Sequence, residues 1–180
     1  MDERRGSETA GTPPVVVMGV AGCGKTAVGS ALAQALGTAF VEGDALHPPE
    51  NVALMASGQP LTDADRAGWL EAVGEELAAK SRAGLGAVAA CSALKRRYRD
   101  QLRRANPAAI FLHLVIDAET ARRRVKLRKG HFMPESLVES QFAALEPPGP
   151  DEAALALDGL LPVDELVARA IAFLRKGEQG

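Results

Sequence analysis

The stretch from Gly19 to Thr26 reads Gly-Val-Ala-Gly-Cys-Gly-Lys-Thr and fits the phosphate-binding motif Gly-x-x-x-x-Gly-Lys-Ser/Thr at every fixed position. Glycines let the backbone curve tightly, so that its N–H groups point at phosphate oxygens, and the following helix adds its positive end. Lys25 is expected to reach the β- and γ-phosphates, and Thr26 to offer a hydroxyl to Mg²⁺. We expect the whole loop to hold a nucleotide: Gly19, Val20, Ala21, Gly22, Cys23, Gly24, Lys25 and Thr26.

A carboxylate follows the second predicted strand, residues 39–42. Asp44 should emerge at the carboxyl end of this strand, and that end of an open α/β sheet faces the ligand crevice. There it could hold a reacting hydroxyl and take its proton, which makes Asp44 a candidate catalytic residue. The alternative role is that of a helix-capping aspartate. His47 could bond a substrate hydroxyl, or only cap or pack within this turn.

Three cations are candidates to hold an anionic group of a second substrate. Arg66 lies near the start of a predicted helix, where the helix dipole disfavours a cation and a functional role is therefore favoured over a solvated one. Lys95 and Arg99 are four residues apart on one face of a predicted helix over residues 94–105. Their neighbours are also basic, so a plain solvated surface is the alternative for this pair.

A basic run between residues 122 and 131 has the composition of a lid over a transferring phosphoryl group. A mobile arginine that arrives over this group stabilises the charge on its outer oxygens, and closure excludes water. Arg128 is the candidate for this catalytic role, and we expect the lid at about residues 124–134. A solvated basic helix is the alternative for any one of these residues.

The remaining elements must bring these residues together. Apolar runs predict strands at residues 14–18, 39–42, 86–90, 110–116 and 153–157, and helical spacing predicts helices between them. Alternation of this kind predicts an α/β fold, with a five-stranded parallel sheet between two layers of helices and right-handed crossovers. We expect residues 13–180 to form one domain behind a flexible tail of residues 1–12.

Composition excludes several functional classes. The chain has 180 residues, 21 of them basic and 23 acidic, and this balance argues against nucleic-acid binding through bulk charge. Two cysteines do not form a metal motif or a disulfide framework, which favours a reducing, cytoplasmic setting. No apolar run has the length of a membrane span or the pattern of a signal peptide, so we expect no membrane partner.

Four blocks beyond the phosphate loop resemble the gluconokinase family. They read Gly-Asp-x-x-His-Pro from Gly43, Met-Ala-Ser-Gly-x-Pro-Leu-x-Asp-x-Asp-Arg-x-x-Trp-Leu from Met55, Cys-Ser-Ala-Leu-Lys-x-x-Tyr-Arg-Asp from Cys91 and Lys-Gly-His-Phe from Lys129. Together with the loop and a Gln-Phe-x-x-Leu-Glu stretch from Gln141, the resemblance covers residues 15–146.

This resemblance implies Mg·ATP-dependent phosphorylation of D-gluconate on the fold shared with shikimate and nucleoside monophosphate kinases. It also implies that Arg124 stacks on adenine and that His131 contacts the substrate. Such a polyol carboxylate needs a cation for its carboxylate and side chains for its hydroxyls, in agreement with the residues above.

Two alternatives remain at this stage. Another small-molecule kinase of the same fold, such as a shikimate or nucleoside monophosphate kinase, would use the same loop. A nucleotide-switched regulatory module ranks lower, because the chain has no Asn-Lys-x-Asp stretch to read guanine. The sequence leaves the oligomeric state open, a homodimer included.

Overall fold

The computed structural model describes residues 11–128 and 134–177, in which strands and helices alternate. The strands are β1 (Val15–Met18), β2 (Ala39–Glu42), β3 (Ala87–Ala90), β4 (Ile110–Val115) and β5 (Ala154–Asp158). The helices are α1 (Lys25–Leu36), α2 (Pro49–Ala56), α3 (Asp63–Arg82), α4 (Arg96–Ala105), α5 (Ala118–Lys126), α6 (Glu135–Ala144) and α7 (Val163–Gly177). A 3₁₀ turn, Gly43–Leu46, follows β2 directly.

The five strands form one parallel sheet in the order β2-β3-β1-β4-β5. β1 is central, and the chain continues to one side of it through β2 and β3 and to the other through β4 and β5. Loops at the carboxyl ends of β1 and its neighbours therefore diverge and leave a crevice, the usual ligand position in such sheets. This topology confirms the predicted five-stranded parallel α/β fold.

β1 explains why a continuous apolar run is required at the centre. All four of its residues are fully buried, and their side chains alternate between two cores. Val15 and Val17 pack in the core that includes α1 and α7, whereas Val16 and Met18 pack in the core that includes α3 and α4. Helices thus cover both faces of the sheet and hold the crevice end of β1 between them.

The start of α4 differs from the predicted one, and the end of α5 decides where Arg128 lies. α4 begins at Arg96 rather than at residue 94, because Lys95 is extended and Ala93 has a positive φ of 43°. The carboxylate of Glu146 accepts a hydrogen bond from Arg96 N–H at 2.7 Å and so caps α4 from a distant part of the chain. α5 ends at Lys126, so Arg128 lies beyond the helix.

Part of the predicted lid and most of the predicted tail lie outside the described residues. The lid was expected at residues 124–134, and residues 129–133 fall outside the structure's description, as do residues 1–10 and 178–180. None of the helices in the described ranges combines the length and the apolarity needed to cross a membrane.

Candidate active site

The phosphate loop connects β1 to α1 through a strongly curved backbone. Gly19, Gly22 and Gly24 have φ values of 142°, 80° and 100°, which L side chains rarely adopt. At Gly19 there is also no room, since an added Cβ would lie 2.8 Å from the carbonyl oxygen of Leu114. Gly24 caps α1 without a side-chain acceptor, so the first amides of the helix are available to an anion.

The two side chains that close the motif both reach into this loop region. Lys25 Nζ donates to the carbonyl oxygen of Val20 at 3.1 Å, which draws the ammonium back across the loop. Thr26 Oγ1 donates to Glu42 Oε2 at 2.6 Å. Glu42 is the last residue of β2, and its other oxygen accepts from Asp44 N–H at 3.5 Å. The end of α1 that faces the crevice is therefore joined to the end of β2 by a hydroxyl and a carboxylate.

Asp44 lies exposed in the 3₁₀ turn after β2, at the crevice end of the sheet as predicted from the sequence. Cys91, the residue after β3, is fully buried. Burial raises the pKa of this thiol to about 12, and the negative charge of Asp44 adds to the increase. A hydrogen bond with the Ala93 backbone and the positive charges of Lys25 and Arg66 oppose it. Lys25, Asp44 and Arg66 thus each act electrostatically on this thiol, although they come from three different elements.

His47 is fixed by two neighbours. Its ring stacks on Trp69 with 4.1 Å between centroids and 15° between planes, and Asn51 Nδ2 lies 3.3 Å from His47 Nδ1. Trp69 in turn donates from Nε1 to the carbonyl oxygen of Gly43 at 2.7 Å. Burial lowers the pKa of His47 to about 4, with Asp44 and Arg66 acting as smaller, opposed influences. The imidazole is therefore neutral at physiological pH and oriented beside Asp44.

The predicted cations differ in how their charges are neutralised. Lys95 Nζ forms an ion pair with Asp63 Oδ1 at 3.0 Å, and the same carboxylate accepts from the Tyr98 hydroxyl and pairs with Arg97. Within residues 11–128 and 134–177, Arg66 forms no comparable ion pair, and its guanidinium carbon lies 5.7 Å from the centre of the Tyr98 ring. Arg66 is thus the candidate whose charge is left for a ligand.

Arg99 is not where the sequence suggested. It has no exposed surface, and its Nε and Nη2 donate to the two carboxylate oxygens of Glu152 at 2.7 and 2.8 Å. Its Nη1 donates to the carbonyl oxygens of Ala93 and Leu94. The prediction that Arg99 contacts substrate is therefore wrong, because a fully buried guanidinium with every nitrogen engaged cannot reach the crevice.

The predicted arginines of the lid lie at different depths. Arg124 Nη1 donates to the carbonyl oxygen of Gly22 at 3.3 Å, and its Nη2 to that of Gly159 at 3.1 Å. It therefore joins the phosphate loop to the turn after β5, and its proposed stacking on adenine stays a prediction. Arg128 is exposed, just before the residues that the structure does not describe. His131 lies outside the described residues.

Two polar residues of the site were not among the predicted site residues. Glu42 was assigned only to a strand, although its spacing of two from Asp44 at a strand end could have indicated a pair of acids at the crevice. Gln141, on α6, accepts a hydrogen bond at Oε1 from Ala21 N–H at 2.7 Å. No local pattern could have revealed this contact, because 120 positions separate its partners.

Comparison with known proteins identifies the family. An AAA-domain family model matches residues 15–148. A gluconokinase of Gluconobacter oxydans (strain 621H) is 52% identical over 145 residues, which are 81% of this chain and 82% of the relative. The thermoresistant gluconokinase of Escherichia coli (strain K12) is 43% identical over 164 residues, or 91% and 94% of the two chains.

A solved structure agrees with these relatives. The crystal structure of a gluconokinase from Sinorhizobium meliloti 1021 is 46% identical, superposes with a TM-score of 0.82 and covers 92% of this chain and 93% of its own. Sequence and fold therefore lead to the same group of proteins over nearly the whole chain. With its phosphate loop and the acids at the end of β2, this chain belongs to the gluconokinase family.

Proposed function

We propose that this protein transfers the γ-phosphoryl group of Mg·ATP to D-gluconate and forms 6-phospho-D-gluconate. The contact that best supports the proposal is the hydrogen bond from Thr26 Oγ1 to Glu42 Oε2 at 2.6 Å, which joins the phosphate loop to the strand end that Asp44 follows. Phosphate recognition, a proton acceptor and an unneutralised cation are the three requirements of phosphorylating a carboxylate-bearing alcohol. Similarity to gluconokinases supports gluconate as that alcohol.

On the nucleotide side, the amides of the loop and the start of α1 bind the phosphates, and Lys25 contacts the β- and γ-phosphates. Arg124 lies between the loop and the turn after β5, where its guanidinium can cover one face of the adenine. Arg128 belongs to the same basic segment and stabilises charge on the transferring group. These roles are proposed from position and charge.

Thr26 and Glu42 are suited to hold the magnesium ion of Mg·ATP. A hydroxyl and a carboxylate 2.6 Å apart are hard oxygen donors of the kind that Mg²⁺ prefers. Among the described residues, no three His, Cys, Asp or Glu side chains cluster as a metal site, and Mg²⁺ does not need such a cluster because it keeps several waters and phosphate oxygens. When bound, the ion neutralises charge on the phosphates.

On the gluconate side, Arg66 is the proposed partner of the substrate carboxylate. Asp63 already neutralises Lys95 at 3.0 Å, whereas a guanidinium can bind a carboxylate through two parallel hydrogen bonds. Lys95 then contributes a donor to a hydroxyl rather than the principal charge. His47, neutral and oriented by Trp69 and Asn51, hydrogen-bonds another hydroxyl.

Asp44 completes the reaction. It holds the 6-hydroxyl of gluconate in line with the γ-phosphorus and accepts the hydroxyl proton as the new O–P bond forms. The bond between the γ-phosphorus and the oxygen that bridges it to the β-phosphate breaks at the same time, and ADP leaves with that oxygen. Exclusion of water by the closed site keeps the phosphoryl group from being hydrolysed.

The test is release of ADP, measured by a coupled assay with gluconate, shikimate and AMP offered in turn at equal concentrations. We expect turnover with gluconate far above that with the other two, and the product should be identified as 6-phosphogluconate by mass spectrometry. Preference for shikimate or AMP would instead assign another small-molecule kinase of this fold. ATP hydrolysis that no acceptor stimulates would favour a nucleotide-switched module.

A further inference from the structure

Helix α6 contacts the phosphate loop near one end and the turn before α3 at the other. Near its C-terminal end, Gln141 Oε1 accepts the hydrogen bond from Ala21 N–H at 2.7 Å. Before its first residue, Pro134 lies against Gly58, where an added Cβ would be 3.3 Å from the proline Cγ. α6 therefore extends from the turn before α3, the helix that carries Arg66, to the phosphate loop.

Packing fixes α6 against α5 and the loop. Val138 of α6 is buried in the same core cluster as Val20, Ala21 and Val125. Arg122 of α5 forms an ion pair with Glu139 and lies 3.4 Å from Glu135. A displacement of α6 must consequently be accompanied by a displacement of Gln141 relative to the core beneath the loop.

The Ala21 amide needs an acceptor of this kind. Ala21 is only 7% exposed, and a buried N–H without a partner is costly. Glycines at positions 19 and 22 give this part of the loop a choice of backbone conformations that other residues would not have. The bond to Gln141 favours the one conformation in which the Ala21 amide faces α6.

We infer that Gln141 is a positioning residue for the phosphate loop, and that it couples the loop's shape to the placement of α6, the helix that follows the predicted lid in sequence. The inference rests on the proposed function, in that the loop is taken to bind nucleotide. Gln141 acts through the Ala21 amide and contributes no chemistry to the transfer itself. Removal of the Gln141 side-chain amide should therefore weaken nucleotide binding even in the absence of gluconate.

The first test compares Gln141→Met with the wild-type protein, because methionine has a similar length and no amide oxygen. We expect the affinity for ADP, measured by calorimetry, to fall about tenfold, which corresponds to about 1.4 kcal/mol. Hydrogen exchange of the Ala21 amide, followed by NMR without nucleotide, should become faster. Gln101→Met is the matched control, since the Gln101 side chain also bonds the backbone, where its Nε2 donates to the carbonyl oxygen of Ala67 at 2.8 Å, and this variant should leave ADP affinity unchanged.

The second variant, Gln141→Glu, separates positioning from charge. A carboxylate oxygen still accepts the Ala21 proton, so slow exchange of this amide should be preserved. The new negative charge lies beside the phosphate loop, so affinity should fall more for ATP than for ADP, and added salt should reduce the difference. Gln141→Met should show neither the preference for ADP nor the salt dependence.

The outcomes are distinct from those of the substrate assay. The inference is overturned if Gln141→Met binds ADP within twofold of the wild type, or if Gln101→Met loses as much affinity as Gln141→Met. A wild-type protein that binds ADP but does not phosphorylate gluconate contradicts the proposed substrate alone, and the changes above would still support the role of Gln141.

Discussion

At the scale of single residues, the chemistry depends on which charges are neutralised and which are left for ligands. Asp63 holds Lys95 and Tyr98, and Glu152 holds Arg99, whereas Asp44 and Arg66 form no such ion pair within the described residues. Residue type and spacing alone could not separate these cases. The separation rests on contacts between distant segments.

Asp44→Asn should lower kcat on the order of 100-fold or more while gluconate still binds, because the amide keeps the shape and most hydrogen bonds but cannot accept the hydroxyl proton. Steady-state kinetics with gluconate varied at saturating ATP will measure both constants. Asp164→Asn, an exposed acid in the first turn of α7, is the matched control and should behave as the wild type. A near-normal kcat for Asp44→Asn would leave Asp44 with a capping role only.

Glu42→Gln should raise the free Mg²⁺ concentration needed for half-maximal rate by about tenfold, in the range found when residues around a metal are replaced. The amide can still accept from the Thr26 hydroxyl, so the local structure should persist while the negative charge is lost. Rates measured across a series of free Mg²⁺ concentrations will show the shift. Glu50→Gln, in the first turn of α2, is the control and should not change the Mg²⁺ requirement. If Glu42→Gln also left the Mg²⁺ requirement unchanged, Glu42 would not belong to the metal site.

Arg66→Ala should raise KM for gluconate more than Lys95→Ala does, and neither should change kcat greatly. The carboxylate is held equally in the ground state and the transition state, so its partner affects binding rather than turnover. Lys95 already forms an ion pair with Asp63, which reduces the positive charge available to the substrate carboxylate. Kinetics of both variants will rank them, and a larger effect at Lys95 would reverse the assignment.

At the scale of elements, the phosphate loop and the strands were predictable because their signals are local. A motif with fixed glycines and a continuous apolar strand require no knowledge of the rest of the chain, and β1 and α1 appear where both patterns place them. The start of α4 was not predictable, since its cap is Glu146, about fifty positions away. Arg99 was misplaced for the same reason: a basic helix gives no sign of which arginine meets a buried glutamate.

The ion pair of Arg99 with Glu152 joins α4 to the segment before β5. The Arg99 hydrogen bonds, helped by one from Arg103, outweigh burial and lower the pKa of Glu152 from 4.5 to about 2. A carboxyl group with a lowered pKa stabilises the folded state fully above about pH 5, and this contribution is lost as the pH falls from about 4.5 towards 2. The shift corresponds to about 3 kcal/mol of stability at neutral pH.

Glu152→Gln should therefore lower the free energy of unfolding at pH 7 by about 3 kcal/mol, because it leaves the charge of Arg99 buried without a counterion. Urea unfolding at several pH values is the measurement. The variant should approach the wild type in stability as the pH is lowered towards 2, where the wild-type carboxylate is also lost. Asp151→Asn, which removes the neighbouring exposed pair with Arg96, should cost no more than about 1 kcal/mol, and equal losses for both variants would contradict the argument.

At the scale of the whole molecule, β1 lies between two pairs of strands whose carboxyl ends border one crevice. The strands on one side, β2 and β3, lead to Asp44 and to Cys91, whereas β4 and β5 lead to α5 and to the turn at Gly159 that Arg124 contacts. Under the proposed function, gluconate would lie on the side of β2 and β3, and the adenine on the side of β4 and β5. Alternation of apolar runs with helical patterns was sufficient to predict a parallel five-stranded sheet, but it did not predict the order of the strands.

Ligand binding should consequently stabilise the whole fold, and the carboxylate of gluconate should account for much of the effect. A ligand at about 100 times its Kd adds about 2.7 kcal/mol, which for a domain of this size raises Tm by about 5 to 10 °C. Sorbitol, which has an alcohol in place of the carboxylate, should raise Tm by only about 1 to 3 °C at the same concentration, since it loses a charge-assisted hydrogen bond to Arg66. In Arg66→Ala, gluconate should raise Tm by no more than sorbitol raises that of the wild type.

Thermal unfolding with sodium gluconate, or with sorbitol plus sodium chloride at matched ionic strength, is the measurement. Equal stabilisation of the wild type by the two compounds would show that the crevice does not bind the carboxylate specifically.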